Sequence, residues 1–130
     1  MSPDDLAEVE QSWAGLRDLR SELVTELESS FALVDPASLA VPRADWLFDA
    51  VAALVGLLTA PSVLRNRARD LATAWPVPGT PPSFRVEGQA WMRAANAVCA
   101  CWSENTELAW RRAWLLLSEV LAEDALSPFS

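Results

Sequence analysis

The sequence predicts an all-α fold of about six helices in a single domain covering residues 1–130, and three observations carry that expectation. Apolar residues recur at spacings of four and three along nearly the whole chain, the period of a helix with one buried stripe, and no segment alternates as a strand would. The 130 residues are 52% hydrophobic and 22% charged, enough apolar mass for one core and too little for two. Prolines and capping side chains break the pattern at helix-length intervals.

The first helix carries the stripe Leu6, Val9, Trp13 and Leu16. Ser2 is its N-cap, Pro3 takes the first helical position, and Asp4 and Asp5 suit the positive end of the helix dipole. The second stripe, Val24, Leu27, Phe31 and Val34, begins near Ser21 and stops before Pro36. Leu47, Val51, Leu54 and Leu58 form the third, which starts after Pro42. The break Thr59-Ala60-Pro61-Ser62 then opens a fourth, Leu64, Ala68, Leu71 and Trp75, so Trp75 is expected to face inward. Residues 76–83, with prolines at 76, 78, 81 and 82, lack the amide hydrogens a helix needs and read as a stiff loop. Phe84, Gly88, Trp91, Ala95, Val98 and Trp102 mark the fifth helix, where Gly88 on the inward line would let another helix approach closely. Ser103 caps the sixth, whose apolar face is broad: Ala109, Trp110, Ala113, Trp114, Leu117, Val120 and Leu121.

The composition excludes whole classes of chemistry. There are 10 basic residues against 18 acids, no His and no Tyr, and every basic residue is Arg. Without His there is no imidazole base for a catalytic triad, no His-ligated zinc and no usual haem ligand. Without Lys there is no Schiff base. Cys99 and Cys101 are too few for a disulfide framework, and two positions apart on a helix they point in nearly opposite directions, so both are expected to be reduced core residues without a metal role.

The net charge of -8 argues against general nucleic-acid binding, which rests on neutralising phosphates. The start, MSPDDLAEVE, is acidic where a signal peptide is basic and then apolar. The longest uncharged stretch, Ala50 to Leu64, is shorter than the roughly 20 residues of a membrane span. A cytoplasmic location with no membrane contact is the expectation. Residues 1–36 hold nine acids and two arginines, while residues 61–100 hold five arginines and two acids, so the two segments differ in sign. The i,i+4 pairs Asp45/Asp49 and Glu22/Glu26, and the cluster Arg65, Arg67 and Arg69, read as solvated helix surface.

The order and texture of these segments resemble the globin family, especially its bacterial single-domain and flavohaemoglobin-type members. Phe84-Arg85-Val86-Glu87-Gly88 with Trp91-Met92 resembles the start of the family's penultimate helix, and Glu107-Leu108-Ala109-Trp110 with Ala113-Trp114 resembles the motif of its last one. Ser12-Trp13 is similar to the first-helix Ser-Trp, and Pro36 to the proline after the second helix. The stretch Arg43 to Val51 resembles the distal helix, which puts Arg43 at the distal Gln or His and Leu47 one turn on. In that register the proximal His falls on Trp75, whose indole nitrogen lone pair belongs to the ring and cannot bind iron. Only six residues separate Pro36 from Arg43, a shortened region in which Val41 and Pro42 stand where relatives carry the Phe that packs on the porphyrin. Met92, Cys99 and Cys101 could bind iron but lie on the wrong helix.

The resemblance therefore implies a haem-free globin scaffold with no cofactor and no metal, and a former haem pocket at Arg43, Leu47, Val51, Trp75, Trp91 and Trp114. Function follows the site and not the fold. The expected role is that of a sensory or protein-interaction module, or a binder of a small apolar ligand. Homodimerisation through the first or last helix is implied as well. The alternative is a repurposed-pocket enzyme or accessory protein using Arg43 with Asp45 or Glu87. A haem-binding globin with an unusual iron ligand is the remaining reading.

Overall fold

The computed structural model describes residues 2–34, 43–73, 85–100 and 102–126. Among them the structure is all-α, with no strand. The α-helices are α1 (Pro3–Leu16), α2 (Arg20–Val34), α3 (Arg43–Leu54), α4 (Pro61–Thr73), α5 (Arg85–Val98) and α6 (Glu104–Leu126). Phe84, Trp75, the proline loop, Pro36, Val41, Pro42 and Cys101 lie outside the described residues, as do the side chains of Val34, Val120 and Leu121.

At the start of α1 the sequence chemistry is realised in full. Asp5 N–H donates to Ser2 Oγ and Ser2 N–H donates to Asp5 Oδ2, both at 3.2 Å, a reciprocal capping box with Pro3 in the first turn. Burial of the Asp5 side chain pushes its carboxyl up, but the hydrogen bonds from the Ser2 amide and hydroxyl and the Arg112 guanidinium outweigh that and hold it below its ordinary value of 3.8. A lowered folded pKa means that the unfolded chain binds more protons in the window between the two values. The stabilisation is therefore complete above pH ~4 and disappears as pH falls through the lower folded value. An Asp5→Asn variant is expected to be less stable than wild type at neutral pH, with the difference shrinking as pH falls through the lowered folded value, which acid denaturation monitored by circular dichroism measures directly.

Between α1 and α2 the expected break near Ser21 does not occur. Arg17–Leu19 forms a 3-10 turn and the backbone stays right-handed helical through Arg20, so Pro3–Val34 is one unbroken helical stretch and the described residues form five separate stretches. No proline or glycine stands between Arg17 and Arg20 to stop the helix. The tightened turn marks a change of partner: α1 lies on α6, whereas α2 lies on α5 and α3. It also rotates the buried stripe of α2. Leu23, Leu27, Ser30 and Phe31 face inward, and Val24, expected on the stripe, is half-buried at its flank.

The remaining helices bury the faces their spacing marks. Leu47, Val51 and Leu54 of α3, with Leu58 beyond its 3-10 end, join Leu64 and Ala68 of α4 in the core. Trp46 pins these two helices together, its indole N–H donating to the Leu71 carbonyl at 3.1 Å. Ser103 caps α6, its Oγ accepting from Thr106 N–H at 3.2 Å. Among the described residues the most extensive helix contact is between α2 and α5; α1 packs on α6, α5 touches α6, and α4 touches both α3 and α6.

Three polar contacts fix α1 on α6. Trp110 Nε1 donates to Ser12 Oγ at 2.7 Å, Thr106 Oγ1 donates to Glu8 Oε2 at 3.0 Å, and Arg112 Nη1 donates to Asp5 Oδ1 at 2.7 Å. Ser12 also donates back to the Glu8 carbonyl at 2.7 Å, so one hydroxyl joins the α1 backbone to an indole of α6.

Candidate functional site

Trp91 on α5 is the centre of the site that the sequence marks out. It is fully buried, and three other indoles surround it: Trp110 at 5.3 Å, Trp13 at 6.0 Å and Trp114 at 6.4 Å between ring centroids, all tilted. Phe48 extends the cluster from α3, 5.3 Å from Trp13. Four helices thus contribute one aromatic ring or more to a single assembly, each ring inclined to its neighbours in the arrangement that π quadrupoles favour. The Trp91 indole N–H is buried within it with no hydrogen-bond acceptor among the described residues.

The close approach of α5 and α6 depends on Gly88. A Cβ built there would lie 2.9 Å from Trp114 Cγ and 3.1 Å from Cδ2, inside the distance real Cβ atoms keep. The expectation that Gly88 admits a neighbouring helix is met, and the neighbour is the Trp114 ring.

Leu47 and Val51, one turn apart on α3, are both buried and belong to the same continuous core as Trp91 and Trp114. Of the six residues assigned to the former haem pocket, the structure brings these four into one core, and Arg43 is buried as well; Trp75 lies outside the described residues.

Arg43 is the first residue of α3 and only 3% exposed, with its guanidinium 4.2 Å from the centroid of the Phe31 ring. A cation at a helix N-terminus opposes the helix dipole, and the ring face of Phe31 supplies compensating attraction. Glu87, also 3% exposed, stands in the first turn of α5, where the dipole favours its charge.

Asp45 does not join Arg43. Two positions along a helix rotate a side chain to nearly the opposite side, and Asp45 instead accepts from Arg20 at 3.4 Å, while Asp49 accepts from the same guanidinium at 2.9 Å. Arg20 also lies over Phe48 at 4.6 Å. The two carboxylates are more than half exposed, so this is a surface clasp between the α1–α2 turn and α3, worth little in isolation. Sequence reasoning took both as solvated surface and missed Arg20, which lies 25 and 29 positions away. Nor does it show Trp13 and Trp110 as neighbours of Trp91, or Phe48 as the neighbour of Trp13, although each stands at a stripe position or beside one.

A shallow, open cleft of about 500 Å³ lies elsewhere, between α1 and α6, lined among others by Asp4, Asp5, Glu8, Gln11, Leu108 and Arg112. Cys99 is half-buried and forms no disulfide. Among the described residues no cluster of His, Cys, Asp or Glu is arranged to hold a metal ion, and no helix is long and apolar enough to cross a membrane. No family model, no curated protein and no solved structure matches this chain.

Proposed function

We propose that the chain is a haem-free, globin-like domain that works as a sensory or interaction module, or binds a small apolar ligand, and is not an oxygen carrier. The observation that carries this reading is the absence of any His from a chain whose helix motifs run in globin order, with Trp75 at the proximal position. The packing is compatible with it: the second helix packs on the fifth, the first on the sixth, and the fourth touches the third and the sixth. The buried surroundings of Trp91 support it too, since an aromatic, apolar core suits shape-dependent binding better than proton transfer.

In the sensing form, an apolar ligand among Leu47, Val51, Trp91 and Trp114 favours one packing of α5 against α6 and so alters the outer surface of α6. The enzyme alternative loses Asp45 to the Arg20 clasp and is left with the two buried charges, Arg43 and Glu87. Haemin titration tests the haem-free reading. The expected spectrum is the broad absorbance of free or loosely bound haemin at every ratio; a sharp Soret band saturating at one haemin per chain would overturn it.

A further inference from the structure

We propose that the ligand is an uncharged apolar molecule with a single hydrogen-bond acceptor, a ketone, ester or ether oxygen, and that the Trp91 indole N–H donates to it. This rests on the ligand-binding form of the function proposed above and names the class of molecule that form requires. Its basis is a donor in an unusual place. Trp91 is the largest fully buried side chain among the described residues, and its N–H has no acceptor among them. Elsewhere the fold pairs such groups across helices: Trp46 donates to the Leu71 carbonyl and Trp110 to Ser12 Oγ. The Trp102 N–H is also unmatched, but that side chain is only half-buried, at the link into α6. Roughly nine in ten or more buried polar groups have a partner, so a wholly enclosed donor without one marks a position for an acceptor from outside the chain. The tilted rings around Trp91 offer it at most a π face, which is a weak acceptor.

The surroundings narrow the acceptor. A buried water makes about three hydrogen bonds, and the rings of Trp13, Trp110 and Trp114 give it little beyond the first, since the Trp110 N–H is already committed to Ser12. A carboxylate would bring a full charge into an apolar core with one neutral donor to hold it. A hydroxyl or a primary amide accepts from Trp91 but carries an O–H or N–H of its own, so one unmatched group replaces another. A ketone, ester or ether brings an acceptor and no donor. Its apolar body contacts Leu47, Val51 and Trp114 of the same core, and the change in packing of α5 against α6 that sensing invokes makes the room. Binding then relieves the cost of the unmatched N–H, so the oxygen itself contributes to the preference for the liganded packing.

Acetophenone and α-methylstyrene test this, because the two have nearly the same shape and a carbonyl oxygen in the first is a methylene group in the second. Each is titrated into the full chain, isotope-labelled at the tryptophan indole nitrogens, and the Trp91 cross-peak is assigned as the one missing from Trp91→Phe. Both molecules are expected to bind saturably, and acetophenone to move the Trp91 indole proton further downfield. Trp91→Phe, whose remaining indole cross-peaks report that the fold is kept, is expected to lose about tenfold more affinity for acetophenone than for α-methylstyrene. Equal losses for the two, or a Trp91 indole proton indifferent to acetophenone, would overturn the acceptor and leave the apolar-ligand reading standing. Binding of neither would overturn both.

Discussion

Trp91→Ala is expected to destabilise the protein by about 3–5 kcal/mol, the range for removing a large aromatic side chain from a core that cannot collapse around the gap. The surroundings place it in that range. Trp91 is fully buried, and its neighbours Trp13, Trp110 and Trp114 come from two other helices, each anchored by further contacts. Trp110 is tied to Ser12 through its own N–H and is not free to move into the space. For a domain whose whole stability is of order 5–15 kcal/mol, such a loss would shift the urea midpoint by 1 M or more, or abolish the transition. Trp91→Phe separates packing from polarity. It removes ring volume, but it also removes an indole N–H that is buried without an acceptor among the described residues, a group that costs about 1–3 kcal/mol when left unpaired. The two effects oppose one another, so the Phe variant is expected to lie within about 2 kcal/mol of wild type and well above the Ala variant.

Gly88→Ala carries the second large effect, with a built-in comparison at Gly15. In a helix interior, Ala is favoured over Gly by roughly 1 kcal/mol. At Gly15 a new Cβ meets nothing within 4 Å, and Gly15→Ala is expected to stabilise by up to that amount. At Gly88 the new Cβ would lie 2.9 Å from Trp114 Cγ and 3.2 Å from its Cβ. Trp114 is packed against Trp91 and cannot swing aside without disturbing the cluster, so overpacking of about 1–3 kcal/mol exceeds the helix gain and the net change is destabilising. Gly88→Val adds more bulk at the same point and is expected to cost more than Gly88→Ala. Thermal unfolding of the three variants reads the result as midpoints displaced in opposite directions at positions 15 and 88.

Much of the fold was legible in the sequence because local chemistry and periodicity agree. Ser2, Pro3 and Asp5 announce the start of α1, Pro61 that of α4 and Ser103 that of α6, each by a group that satisfies or forgoes an amide hydrogen bond at a helix end. Gly88 was legible as a contact point because a glycine on an apolar stripe has few other uses. The unbroken helix through Arg17–Leu19 was not, since nothing in Arg-Asp-Leu-Arg opposes or demands a turn and the choice is made by which partner each half packs on. Leu23 and Val24 compete for one inward direction, and the 3-10 turn, a tertiary outcome, gives it to Leu23.

The candidate site divides in the same way. Leu47, Val51, Trp91 and Trp114 could be named because each sits on an apolar stripe, and a stripe position is buried whatever the details of packing. The contacts that organise them were not legible, because the pairs are remote in sequence: Trp110 and Ser12 are 98 positions apart, Arg112 and Asp5 107. Burial of Arg43 ran against its residue type, and it depends on Phe31 being presented from α2. Asp45 and Asp49 were legible as exposed helix surface, but their shared partner was not, because Arg20 arrives from another element.

If a globin-like scaffold persists here without an iron ligand, as proposed above, the missing donor belongs at position 75. Haemin titrations of the wild type and of Trp75→His, followed in the Soret region, test it most directly. The wild type is expected to give no saturable band, and Trp75→His a sharp band saturating near one haemin per chain. A stoichiometric Soret band from the wild-type chain, unchanged by Trp75→His, would contradict it.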